Sequence, residues 1–350
     1  MTSAAATAPV VTETSVTFRL ADPSARLRGV RLYQEVRVPG NQLDFGWANG
    51  LWTLLLPRPA VDRMEYLFEL RHANDGRETI TDPANPLRAA GAFGDKSVIE
   101  FPSYVAPRWL LWPTADGDTV PFEVASDALG ATVYGAVWTP AGLDEPAPLL
   151  IAHDGPEYAA LGGLLRYVTA LIGAGELPAL RVALIAPGER NRWYGANPAY
   201  ARALATEVIP ALPVATVRIG VGASLGALAM LHAHRSFPDR FDGLFLQSGS
   251  FFTPALDPQE RRFERFEPVT RFVAEVASAV ADAAPVPTAM TCGSLEENLA
   301  NNRSMADTLR GLGYSATLSE VADVHNFTAW RDALDPSLTR LLTEVIAGAA

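Results

Sequence analysis

Arg218–Met230 reads RIGVGASLGALAM. Small and β-branched apolar residues run into Gly222-Ala223-Ser224-Leu225-Gly226, and an Ala/Leu-rich stretch follows with no intervening loop. The spacing predicts a strand, a sharp turn with Ser224 at its tip, and a helix. This is the G-x-S-x-G arrangement, in which a serine projects from a strained strand-to-helix turn. Flanking glycines let strand and helix approach each other without a Cβ clash. A serine hydroxyl is a poor nucleophile until a base takes its proton, so Ser224 needs partners elsewhere in the chain.

Outward from this turn, short apolar runs alternate with longer helical patterns. PLLIAHDG precedes a helical pattern over Glu157–Gly173, and ALRVALIAPG one over Pro198–Leu212. FDGLFLQSGS is followed by Pro258–Asp282, PTAMTCGS by Glu296–Leu312, and SATLSEV by Thr328–Gly348. Alternating strand and helix predict an α/β domain, with a mostly parallel sheet covered on both faces. In such sheets the active site lies at the carboxyl ends of the strands. The first hundred residues differ: SVTFRL, VRLYQEV, LWTLLLP and EYLFELRH are β-rich runs between Gly, Pro, Asn and Asp clusters. They predict a small antiparallel sandwich. The expected division is a disordered tip over 1–14, a sandwich over 15–105 and the α/β domain over 106–350.

The formal charge of −11, with no basic run, argues against nucleic acid and anionic membranes as partners. The apolar runs are too short and too interrupted to span a bilayer. A single cysteine, Cys292, permits no intrachain disulfide and suits a reducing compartment. Met1–Thr14 lacks the basic start and apolar core of a secretory signal, so the expected location is cytoplasmic. His232 and His234 form an H-x-H within a helical pattern, where residues two apart point to different sides. Neither a metal site nor a cofactor is expected.

The base follows by elimination among five histidines. His72 belongs to the β-rich part, and His232 and His234 lie on the helix leaving Ser224. His153 ends a strand that precedes the serine. His325, in DVHNFTAW, lies between the last strand and the last helix, where the chain order serine, acid, histidine places the base. The acid belongs on the loop after PTAMTCGS, with Glu296 and Glu297 as candidates and Asp323 as an outsider. Its role is to fix the imidazole tautomer and stabilise the imidazolium. An oxyanion needs two backbone donors: Leu225 N–H is one, and the loop His153–Tyr158 supplies the other.

GVGASLGALAMLHAHRSFPDRFDGLFLQSGSFF, CGSLEENLANNRSMADTLRGLGY and VHNFTAWRDAL resemble the enterochelin esterase group of the esterase D-like α/β-hydrolases. RNRWYGANPAYARALATEVIP is similar to a segment of that family as well, and the resemblance covers Asp116–Ala350. GLWTLLLP, EYLFEL and DPANP are similar, more loosely, to the immunoglobulin-like domain that precedes the hydrolase in this group. The resemblance implies an α/β-hydrolase behind an immunoglobulin-like sandwich, with Ser224 as nucleophile, His325 as base and Glu296 as acid. It also implies hydrolysis of the ester bonds of a catecholate trilactone siderophore, with release of iron inside the cell. Such a substrate is anionic, and Arg190, Arg192 and Trp193 are candidates to meet it, with His153 and Tyr158 alongside; the other reading is that the arginines anchor a loop by ion pairs. Trp47 or Trp52 could add aromatic surface, though Trp52 also reads as sandwich core.

Two positions depart from the family pattern. Ala227 stands where many relatives have glycine, and Pro156, which has no N–H, follows Asp154-Gly155 in the oxyanion loop. Gly155 is then the expected second donor, with Glu157 N–H or the Tyr158 hydroxyl as alternatives. The competing functions are cleavage of feruloyl, acetyl or other small acyl esters, and carbohydrate binding with a vestigial hydrolase.

Overall fold

The computed structural model describes residues 8–281 and 284–349, which fall into two compact units. The smaller contains the chain up to Val105 together with Gly293–Glu296 and Ala322–Asn326; the remainder forms the larger.

The larger unit is built on eight strands: β1 Gly117–Ser126, β2 Ala131–Pro140, β3 Ala147–Ala152, β4 Arg181–Ile185, β5 Ala215–Ala223, β6 Gly243–Gln247, β7 Thr288–Gly293 and β8 Ala316–Val321. Their order is β1-β2-β4-β3-β5-β6-β7-β8. Strands β4, β3, β5, β6 and β7 run parallel, while β1–β2 and β2–β4 are antiparallel pairs. Every residue of β4 and of β6 is buried, as expected where helices cover both faces. One apolar layer joins the sheet to the helices Leu225–Ser236, Phe266–Ser278 and Leu299–Gly311. A second joins its other face to Leu164–Gly173 and Ser337–Gly348. This is the α/β-hydrolase fold. Because β3 lies between β4 and β5, the chain leaves β3 and β5 in opposite directions, which opens a crevice at their carboxyl ends.

Three helical patterns are interrupted and a fourth is shortened. Glu157–Gly173 becomes Gly155–Ala160 and Leu164–Gly173, parted at Gly163 with φ +61°. Pro258–Asp282 becomes a 3-10 turn over Pro258–Arg262 and a helix over Phe266–Ser278, and Asp282 lies outside the described residues. Thr328–Gly348 becomes Phe327–Asp332 and Ser337–Gly348, with Pro336 capping the second. The helix expected from Glu296 starts at Leu299, which leaves Glu296 in a turn.

The smaller unit consists of two antiparallel sheets. One pairs Val10–Val11, Ser15–Ala21, Leu51–Pro57 and Gly46–Ala48; the other is centred on Arg63–His72, flanked by Leu27–Gln34 and Lys96–Glu100. Val16, Phe18 and Leu20 alternate inward along the second strand of the first sheet, the period-2 pattern of a sandwich face. Phe18 meets Tyr66 edge-on at 4.9 Å between centroids, and Phe45 meets Phe68 at 5.3 Å. The disordered tip expected over 1–14 needs correction from Val10, which pairs with Thr17; residues 1–7 lie outside the described residues. Trp52 is buried in this core with its indole N–H on Asp22 at 3.2 Å, whereas Trp47 is half exposed. Val324 and Leu295, which arrive late in the chain, pack into the same core.

Candidate active site

Strand β5 ends at Ala223, and Ser224 adopts φ +57° and ψ −124° before the helix Leu225–Ser236 begins. A non-glycine residue is held there only by its surroundings, at a cost of roughly 1–3 kcal/mol. The surroundings are specific. Ser224 N–H donates to Gln247 O at 2.9 Å, and Ser224 C=O accepts from Ala227 and Leu228 N–H. A Cβ on Gly222 would lie 2.4 Å from Gly226 O, so the strand–helix contact requires glycine at 222. The half-buried Ser224 hydroxyl stands 3.2 Å from that of Ser250, whose N–H donates to Ser224 O at 3.1 Å. Ser250 closes the QSGS run after β6, and Gly249 within that run is fixed by reciprocal bonds to the Asn302 side chain at 2.9 and 2.8 Å.

The loop after β3 abuts the same turn. His153 Nδ1 lies 2.9 Å from Gly226 O, and its ring stacks on Tyr194 at 4.6 Å. Burial pushes its pKa down to about 4, so the ring is neutral at pH 7; a carbonyl only accepts, so Nδ1 carries the proton. Asp154, at φ +49°, forms a fork with Arg190 at 2.7 and 2.8 Å. Gly155 then opens the helix Gly155–Ala160, and a Cβ there would lie 2.3 Å from the Leu184 carbonyl carbon. Gly155 and Leu225 are each the first residue of a helix, and the first N–H groups of a helix have no partner within it. Pro156 occupies the second position, where its missing N–H costs the helix nothing.

Glu296 and His325 meet within the smaller unit. Glu296 is buried; Oε1 accepts from Gly293 N–H at 2.9 Å and Oε2 stands 2.8 Å from His325 Nδ1. A carboxylate oxygen accepts, so this contact places a proton on His325 Nδ1. Glu297 is exposed, 3.5 Å from Gln259, and plays no part in this pair. Asp323 is buried: it accepts from Val324 N–H at 2.8 Å and from the Asn326 amide at 3.2 Å. Its burial, opposed by those bonds and by Arg63, lifts its pKa to about 7.

Several residues expected to line the site are core instead. Tyr158 is fully buried with its hydroxyl donated to Gln247, so it reaches neither substrate nor oxyanion. His153 is equally enclosed, and Trp193 is buried against Tyr200 at 5.8 Å. Their position near the strand ends hid the fact that they are packed beneath the loops. Arg190 is committed to Asp154, as the loop-anchoring reading has it, while Arg192 is exposed beside Glu189 at 3.0 Å. An open cleft of about 650 Å³ is lined by Glu189, Arg190, Asn191, Arg192, Glu264 and Arg265. Sequence reading singled out neither Arg265, one of several charges in QERRFERF, nor Ser250, although the QSGS run was conspicuous.

The Esterase family, described as "Putative esterase", matches residues 126–341. The chain belongs to this esterase family. Among its sequence relatives, the iron(III) enterobactin esterase of Dickeya dadantii (strain 3937) is 29% identical over 292 residues, 74% of this chain. The chain spans 65% of that relative's length. The crystal structure of ferric enterobactin esterase from Salmonella typhimurium superposes with a TM-score of 0.79 at 20% identity, covering 97% of each chain. Enterobactin esterase from Shigella flexneri, solved in the presence of enterobactin, gives 0.75 at 18% identity over 97% of this chain and 95% of that one. At these identities the structural likeness is one of fold. Among the described residues of this esterase family member, no helix is long and apolar enough to cross a membrane, and no group of three or more His, Cys, Asp or Glu could hold a metal ion.

Proposed function

We propose that the protein is a serine carboxylic ester hydrolase acting on a catecholate siderophore of the enterobactin type, through Ser224, His325 and Glu296. The observation that carries this reading is Ser224 at φ +57° on a strand–helix turn whose close approach requires glycine at 222. His325 Nε2 takes the Ser224 proton as Oγ attacks the ester carbonyl. Leu225 and Gly155 N–H receive the developing oxyanion, and Glu296 stabilises the imidazolium. The imidazolium then returns the proton to the leaving alcohol. Water, deprotonated by His325, attacks the acyl-enzyme and releases the acid and a free serine.

The substrate class is supported by the names of the relatives, which are enterobactin esterases, and by the arginines of the open cleft. Guanidinium groups suit catecholate and carboxylate oxygens, and Arg192 and Arg265 are the two in that cleft not bound into the Asp154 fork. In this reading the cleaved siderophore gives up its iron in the cell interior, and the iron is cargo.

The test is mass spectrometry of products after incubation with a tricatecholate trilactone, iron-free and iron-loaded, beside p-nitrophenyl butyrate and a Ser224→Ala blank. Stepwise trilactone loss absent from the blank is expected. Butyrate cleavage with intact trilactone would retain the esterase and remove the siderophore; inactivity on both would remove the esterase reading.

A further inference from the structure

His325 and Glu296 sit on loops that follow strands of the α/β sheet, yet their immediate supports belong to the sandwich. Three contacts seat the histidine loop. Ala322 C=O accepts from Asp62 N–H at 2.8 Å, just before the strand Arg63–His72. The Val324 side chain is 2% exposed within the sandwich core. The Asp323 carboxylate ties the loop to itself through Val324 N–H and the Asn326 amide. The charged groups acting on that carboxylate are Arg63, which attracts it, and Glu65, which repels it. Arg63 and Glu65 are themselves a buried pair at 2.8 Å, with Lys96 3.5 Å from Glu65.

The acid loop is joined to the same support. Leu295 packs on the sandwich core, and Leu295 N–H donates to Asp323 O at 3.4 Å. A Cβ on Gly293 would lie 2.5 Å from that same oxygen, so the loops touch through Asp323 at a distance only glycine allows.

We infer that Val324 and Asp323 are positioning residues that hold His325 against Glu296: the Val324 side chain anchors the histidine loop in the sandwich core, and the Asp323 carboxylate fixes the shape of that loop through Val324 N–H and the Asn326 amide. Neither side chain touches substrate; each acts through the imidazole. The inference rests on the triad reading above. A side chain that merely stabilised the fold would shift the melting temperature and leave turnover of the folded enzyme unchanged. A positioning residue lowers kcat in molecules that remain folded.

The experiment uses the full chain and p-nitrophenyl butyrate. Val324→Ala and Asp323→Ala, with native near-UV circular dichroism, are each expected to lower kcat about 10- to 100-fold, since small misplacements of a catalytic group cost that much. KM should stay within about twofold, because uniform binding is untouched. Asp323→Asn, which keeps the acceptor for Val324 N–H, should recover kcat to within about threefold of wild type, the scale of one weakened hydrogen bond. Wild-type kcat in both folded alanine variants would overturn the inference. Should an alanine variant fail to fold, near-isosteric Val324→Thr is read instead, together with the ring NMR of His325. A weakened Nδ1–H signal with lowered kcat supports positioning, and an unchanged signal with unchanged kcat overturns it. Ser224→Ala and His325→Ala separate the two readings. If they retain turnover, the triad reading falls and this inference with it; if they are inactive while the positioning variants match wild type, only this inference falls.

Discussion

At the scale of single residues, the Glu296 carboxylate divides its two oxygens between Gly293 N–H and His325 Nδ1. Glu296→Gln preserves the shape but removes the charge that balances an imidazolium. Steady-state assay of an ester substrate should therefore show kcat lowered by about 10³-fold or more. Glu297→Gln, on an exposed side chain, should leave kcat within about twofold, and a larger fall would reassign the acid. Ser250→Ala removes one hydrogen bond to the Ser224 hydroxyl, for which a loss of about 1 kcal/mol, or roughly fivefold in kcat/KM, is expected. The turn that carries Ser224 and a short choice of carboxylates beside His325 were legible in the sequence because chain order and turn spacing constrain them. Which of Glu296 and Glu297 faces His325 was indicated by the family resemblance but not by spacing, since adjacent side chains in a turn diverge by geometry that no spacing rule encodes. Tyr158 and His153 depart from expectation for a related reason: proximity to a strand end says nothing of which way a ring packs, and both rings are buried.

At the scale of elements, the strand–turn–helix unit around Ser224 depends on close backbone approach. Gly222→Ala would drive a methyl group to 2.4 Å from Gly226 O. Denaturant unfolding should register a loss of at least ~2 kcal/mol, and activity should fall with it. The Asp323 loop brings its own pH dependence. A carboxyl whose pKa is raised to about 7 from an unfolded value of 3.8 holds its proton more tightly when folded. Its contribution to stability is complete below pH 4 and is lost as pH rises towards 7. Asp323→Asn should therefore gain stability relative to wild type at pH 8 and show no such gain at pH 4; equal differences at both values would refute this origin. The alternation of strand and helix was legible, but the breaks were not. Gly163 and Pro336 sit inside apolar patterns that continue across them, so periodicity ran two helices together in each case.

At the scale of the whole molecule, one enclosed and one half-buried histidine oppose folding in acid. Burial depresses His153 and His232 to about 4 from an unfolded value near 6.5. Each group binds its proton more readily in the unfolded chain, so stability falls as pH drops from about 6.5 towards 4. His232→Leu, which keeps an apolar neighbour for Phe272, should flatten that acid slope in urea titrations at stepped pH; an unaltered slope would assign it elsewhere. The β-rich first hundred residues and the α/β remainder were distinguishable by composition and run length. The passage of 293–296 and 322–326 into the smaller unit was not, because nothing local in GSLE or ADVHN announces a distant sheet.

Those two late segments put the order of synthesis at odds with the order of completion. The sandwich strands leave the ribosome before Val324 does, so its seat stays empty while the intervening α/β strands are made. A buried valine contributes roughly 1.5–3 kcal/mol, a sizeable part of the margin of a small domain. The nascent sandwich must therefore persist, unfinished, while more than two hundred further residues are translated. Premature stop codons anywhere in that interval would yield fragments that expose an apolar cleft, marking them for quality control.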